Sequence, residues 1–173
     1  MSPAGCSGSR RATEVPKHGP NRLDNYTQIH DTCMQRFLRD GFIIAEALRF
    51  ENLGNGYIAI VGTIDCMGGV VLEVDKLLAI QEGEGADALV QTVIYTYHAH
   101  VAGQGNILRY DSPHPDHNQF HHVHRYKFDG DGADHVTELT WEDVPTLAEV
   151  VEELRTWVYQ RWERLPGLQP PPT

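Results

Sequence analysis

YTYHAHVAGQGNILRYDSPHPDHNQFHHVHRYKF, residues 95–128, carries seven of the chain's ten histidines together with Arg109 and Asp111. β-Branched and aromatic residues recur in it, and turn compositions interrupt it at AGQG (102–105) and SPHPDH (112–117). That pattern predicts antiparallel strands rather than helix. If AGQG closes a hairpin centred between Gly103 and Gln104, Val101 faces Asn106 and His98 faces Arg109. Side chains alternate along a strand, so His98, His100, Arg109 and Asp111 share one face. Tyr95, Tyr97, Val101, Leu108 and Tyr110 share the other, the expected core side. A return strand with Ser112 opposite Gln119 brings His122 beside Arg109 and His124 beside Ile107. A slip of one residue would place His121 and Arg125 on the patch instead, and Phe120, Tyr126 and Phe128 share the parity of His122 and His124.

Working outward, the segments Phe42–Phe50, Tyr57–Cys66, Val70–Leu78, Leu89–Val101, Asn106–Asp111 and Phe120–Phe128 have strand composition and are separated by Gly-rich turns. Two stretches have helical spacing instead. In Asn25–Leu38 the apolar positions are Tyr26, Ile29, Cys33, Met34, Phe37 and Leu38, with Gly41 as the stop. In Thr146–Arg164 they are Leu147, Val150, Val151, Leu154, Val158 and Trp162, with Thr146 or Asp143 as cap and Glu149, Glu152 and Glu153 early, where the helix dipole favours them. The predicted fold is α+β: an antiparallel meander sheet of about five to six strands flanked by an N-terminal helix and a longer C-terminal helix. Residues 1–20 are polar and read as a flexible extension, residues 21–165 as one domain, and the Pro-rich residues 166–173 as a flexible tail.

Composition agrees with one globular domain: 173 residues, 40 % hydrophobic and 22 % charged. The formal net charge of -10, from 14 basic and 24 acidic residues, disfavours nonspecific attraction to nucleic acid. Ten of the acids lie between Asp129 and Glu163, downstream of the histidines. Cys6, Cys33 and Cys66 are odd in number and widely spaced, as expected of reduced thiols. No apolar run reaches the roughly 18 residues of a membrane span and no signal peptide opens the chain, so no membrane association and a cytoplasmic location are expected. Phosphate-binding loops, dinucleotide fingerprints, HExxH helices and GxSxG elbows are absent.

Three readings fit the histidine face. It can be a solvated strand surface. It can bind a divalent metal through His122, His124 and Asp111, with His98 as another possible ligand. It can also be a metal-independent catalytic site. Cleaving RNA at a 2'-hydroxyl needs a base for that proton, an acid for the leaving 5'-oxygen and a cation for the phosphorane. His98, His122 and His124 supply the imidazoles, Arg109 the planar fork, and Asp111 a partner for either. Tyr110, His100 and His114 stand as substrate-binding neighbours.

The run ILRYDSPHPDHNQFHHVH, followed by an acidic C-terminal helix, resembles the TumE family of small toxins from bacterial type II toxin-antitoxin modules. The matching pieces are Arg109-Tyr110-Asp111, His114 in the loop, and His122-Val123-His124, within a likeness spanning Ile94 to Trp162. The resemblance implies a growth-inhibiting toxin neutralised by an antitoxin, commonly a helix-turn-helix DNA-binding protein, and raises the expectation that it cleaves RNA. The polar N-terminal extension, the proline tail and the strong acidity depart from the family pattern. A metal-dependent nuclease or hydrolase and a non-catalytic nucleic-acid or protein-binding module are the competing functions.

Overall fold

Three long strands, β4 (Tyr57–Cys66), β5 (Val70–Glu82) and β6 (Leu89–Val101), form the middle of the sheet in a computed structural model that describes residues 17–114, 119–127, 135–161, 163 and 165. Their alternation sets the core: Ile64, Leu72, Val74, Tyr95, Tyr97 and Ala99 point to one side and are buried. Burying each large apolar side chain contributes roughly 1.5–3 kcal/mol. Around them lie β1 (Asn21–Arg22), β2 (Ile43–Glu46), β3 (Arg49–Gly54), β7 (Gly105–Asp111), β8 (His121–Arg125) and β9 (His135–Leu139). The order is β2-β4-β5-β6-β7-β8-β9, entirely antiparallel, with β3 also on β4 and β1 also on β6. The described residues thus make nine strands where about five to six were expected. The two-residue β1 and the charged, exposed β9 have too little apolar character to announce themselves.

The predicted segment Phe42–Phe50 divides into β2 and β3, with Ala47 and Leu48 between them outside regular strand. Gly62 of β4 makes this possible: its φ is +144°, and a Cβ there would run into the Ala47 carbonyl oxygen. Both pieces still pair with β4, β2 with its end and β3 with its beginning.

Helix α1 (Leu23–Arg39) buries Met34 and Phe37. It stops as expected at Gly41, whose φ of +73° lets its N–H reach Leu38 O while Phe42 N–H reaches Phe37 O at 3.1 Å. This is a Schellman motif, closed by Phe37 and Phe42, both fully buried. Helix α2 (Leu147–Arg161) buries Val150, Val151, Leu154 and Val158. Its start is a capping box: Thr146 N–H donates to Glu149 Oε2 at 2.7 Å and Glu149 N–H donates to Thr146 Oγ1 at 3.3 Å. Over the described residues α1 has 17 residues and α2 has 15, so the expected greater length of the second is not seen there. Trp162 lies outside the described side chains. Both helices pack on the same face of the sheet.

The boundary expected at residue 20 falls inside the fold. Lys17 pairs with Glu149 at 2.8 Å, and His18 donates from Nε2 to Val144 O at 2.7 Å while its ring lies 4.8 Å from that of Trp141. Residues 1–16 and 166–173, which hold the rest of the two expected extensions, lie outside the described residues.

Candidate active site

The face turned away from the helices carries polar residues in register. Glu73, His98, Arg109 and His124 stand opposite one another across β5, β6, β7 and β8. The next row is Asp75, Thr96, Asp111, His122 and Glu138. Arg109 therefore faces His98 as expected, but the return strand sits two residues from the predicted pairing. His122 lies opposite Asp111 and His124 opposite Arg109. Ser112 explains the difference: its N–H donates to Tyr95 O at 2.9 Å and its Oγ accepts from Tyr95 N–H at 3.3 Å. Ser112 thus continues the β6 pairing and does not turn to meet Gln119. A shift of two conserves parity, so the histidines keep their face.

The hairpin departs from expectation at its closed end. Val101 pairs with Gly105 and His100 with Asn106, because Ile107 is an extra, bulged residue. Ile107 and Leu108 are then both buried in the core, and Asn106 comes round to the histidine face.

Asp111 is the centre of one cluster. It is 2 % exposed, accepts from Thr96 Oγ1 at 3.0 Å and lies 3.0 Å from Arg109 Nε. His122 Nε2 and His124 Nε2 lie 3.8 and 4.0 Å from Asp111 Oδ2. His122, 1 % exposed, has its tautomer set by the backbone: the Phe120 carbonyl can only accept, so Nδ1–H donates to it at 3.0 Å. The His122 and His124 rings are 5.0 Å apart, and His114 stands 5.7 Å from His122. Arg109 remains 45 % exposed, and beyond Asp111 its terminal nitrogens have no hydrogen-bond partner among the described residues.

His98 and His100 form a second cluster beside the first. His98 Nδ1 lies 3.2 Å from Glu73 Oε2 and Nε2 lies 3.0 Å from Asn106 Oδ1, so both ring nitrogens face partners other than Asp111. His100 Nδ1 is buried with no partner among the described residues. Two sets of donor atoms are close enough to hold a cation, Asp111 with His122 and His124, and Glu73 with His98 and His100, each within 4.8 Å of one another.

Tyr110 does not join the site. It is buried on the helix side, donates to Glu153 Oε2 at 2.7 Å and accepts from Arg125 Nη2 at 3.0 Å, while Arg125 also pairs with Glu153. The alternation that brings Arg109 and Asp111 together necessarily sends Tyr110 to the opposite face. His121 and Arg125 are there too, so the one-residue slip is not the register adopted. His121 stacks on Tyr95, 5.7 Å between rings, and burial holds its pKa below the ordinary histidine value. Phe120 shares the site side and is exposed, and Tyr126 stacks on His124. His117 and Phe128 lie outside the described residues.

Thr96, Glu73 and Asn106 escaped sequence reasoning. The first two follow from strand parity once β5 and β6 are paired, whereas Asn106 depends on the bulge and left no sequence signal. No protein-family model, no curated protein and no solved structure matches the chain.

Proposed function

We propose that the chain is the toxin of a type II toxin-antitoxin pair and acts as a metal-independent endoribonuclease at the Asp111 cluster. The supporting observation is the convergence of Arg109, Asp111, His122 and His124 on one sheet face, with His114 at its margin. In this reading Arg109 receives the scissile phosphate, since its exposed guanidinium fork is steadied by Asp111 through Nε. His124, part-exposed, is the imidazole that reaches the substrate, taking the 2'-hydroxyl proton or returning one to the 5'-oxygen. His114 is the second acid-base candidate. His122 is too buried to touch RNA and acts behind Asp111 as a positioning residue. The cytoplasm, where RNA and a helix-turn-helix antitoxin would meet it, is the proposed location. Among the described residues no helix is long and apolar enough to cross a membrane.

The test is cleavage of RNA by the purified full chain in EDTA, paired with growth arrest on induction. Cleavage by the native chain and its loss in Arg109→Ala and His124→Ala support the reading. Intact RNA with the native chain overturns it.

One observation favours a second reading, a metal-dependent hydrolase. Nδ1–H of His122 donates to a backbone carbonyl while Nε2 is the nitrogen turned towards Asp111 Oδ2, and such an outer carbonyl partner is what orients a metal-bound imidazole. His122, His124 and Asp111 would supply three ligands, leaving positions for water or substrate as catalytic zinc sites do. Stoichiometric metal in the purified protein, with activity lost in EDTA and restored by one cation, separates this reading from the first.

A further inference from the structure

On the opposite side of the sheet, between α1, the start of α2 and β5–β6, lies a cavity of about 340 Å³. Its walls include Ile29, Met34, Ile60, Val74 and Val90, with Lys76 among them. Lys76 occupies a core position of β5, two residues from Val74 and two from Leu78. It is 8 % exposed, and among the described residues no carboxylate pairs with it. Its nearest described electrostatic partner is the ring of Tyr26, 5.2 Å from Nζ. A buried ammonium without a counter-ion is costly, and a lysine used only for packing would be replaced to advantage by methionine.

The rest of the lining points the same way. No aspartate or glutamate lines the cavity, in a chain with 24 acids against 14 basic residues; of its basic neighbours Lys17 is already paired with Glu149, and burial holds His18 and His30 below the ordinary histidine pKa. The first residues of α2, Thr146 to Ala148, also line it, with the Glu149 carboxylate already accepting the Thr146 N–H at that helix end. Asn21, Asn25, Tyr26, Thr92 and Thr146 contribute the neutral polar groups of the lining. A cavity at the small end of the roughly 300–1,000 Å³ range, with apolar walls and one buried cation, has the form of a small-molecule site.

We infer that this cavity binds a small amphipathic monoanion, an aliphatic carboxylate whose head pairs with Lys76 and whose chain lies along Ile29, Met34 and Val90. The site is separated from Asp111 by the sheet and does not depend on the chemistry proposed there.

Calorimetric titration of the full chain with octanoate, octan-1-ol and octylamine tests it. Octanoate should bind one to one and about tenfold or more tighter than the alcohol, a difference of roughly 1.4 kcal/mol, and the amine should not bind. Lys76→Met should bring octanoate down to the level of the alcohol while leaving the alcohol unchanged. Ile29→Glu, at an exposed helix position on the rim, should weaken octanoate without disturbing the fold. Failure of octanoate to bind, equal binding of acid and alcohol, or undiminished octanoate binding by Lys76→Met would overturn the proposal. RNA cleavage is not among the readouts, so the outcome is independent of the activity assay.

Discussion

Arg109 and His124 are partly exposed, whereas Asp111 and His122 are buried, and the four should respond differently to truncation. Arg109→Ala and His124→Ala should reduce RNA cleavage by about 10²-fold or more, the usual worth of an acid-base or charge-stabilising group, with melting temperatures close to wild type. His122→Ala should also lose activity but at a cost of about 1–3 kcal/mol in stability, because it leaves the Phe120 carbonyl without its donor. Cleavage rate and denaturation measured on the same preparations distinguish the two patterns. Lys76 gives a pH-dependent contrast. Burial lowers its pKa from 10.5 to about 8, so between those values the unfolded chain holds more protons than the folded one. The penalty is therefore complete below pH 8 and relieved towards pH 10.5. Lys76→Met should be more stable than wild type by about 3 kcal/mol at pH 7.5, and the gap should shrink to about 1 kcal/mol by pH 10. Urea denaturation at both values reads it; His18 and His30, which burial and Lys76 push down, titrate below this window, and Tyr26 and Lys17 stand close by. A gap that does not change with pH would mean that burial in the cavity does not shift the Lys76 pKa. The core position of Lys76 was legible in the alternation VVLEVDKLL, where it follows Val70, Leu72 and Val74 by twos.

At the scale of elements, the two helices and the three central strands were legible because each carries a sustained period, 3.6 or 2, over ten or more residues. The pairing of His98 with Arg109 was also legible, since a hairpin and its parity are local. The bulge at Ile107 and the two-residue displacement of β8 were not: both follow from contacts between strands, the burial of Ile107 and the bonding of Ser112 to Tyr95. Thr146→Ala removes one half of the α2 capping box and should cost about 1 kcal/mol, seen as a lower denaturation midpoint without change in slope. Gly62→Ala should be worse, about 2 kcal/mol or more, because both its φ and the approach of Ala47 oppose a Cβ. A Gly62→Ala chain as stable as wild type would show that this approach relaxes freely.

For the whole molecule, the single-sided sheet makes α2 indispensable. Val150, Val151, Leu154 and Val158 together contribute on the order of 6–12 kcal/mol, comparable with the entire stability of a domain this size. A chain ending at Pro145 should therefore be insoluble or lack cooperative unfolding, as followed by circular dichroism during thermal melting. Thiol labelling gives a milder probe of the same core. Cys66 is buried with its thiol pushed up to about 12, so Cys33 should react before Cys66, and Cys66 only on unfolding. The interruption at Ala47–Leu48 has one more consequence, for association between copies of the chain. A sheet this wide has a row of unsatisfied backbone groups along its β2–β3 margin, where Ile44, Phe50 and Leu53 are exposed. Where the Ala47 carbonyl crowds Gly62, that margin is interrupted at Ala47–Leu48 between two short strands that keep one register on β4. A second strand laid along this edge would have to bridge that interruption, which disfavours growth of the sheet from it.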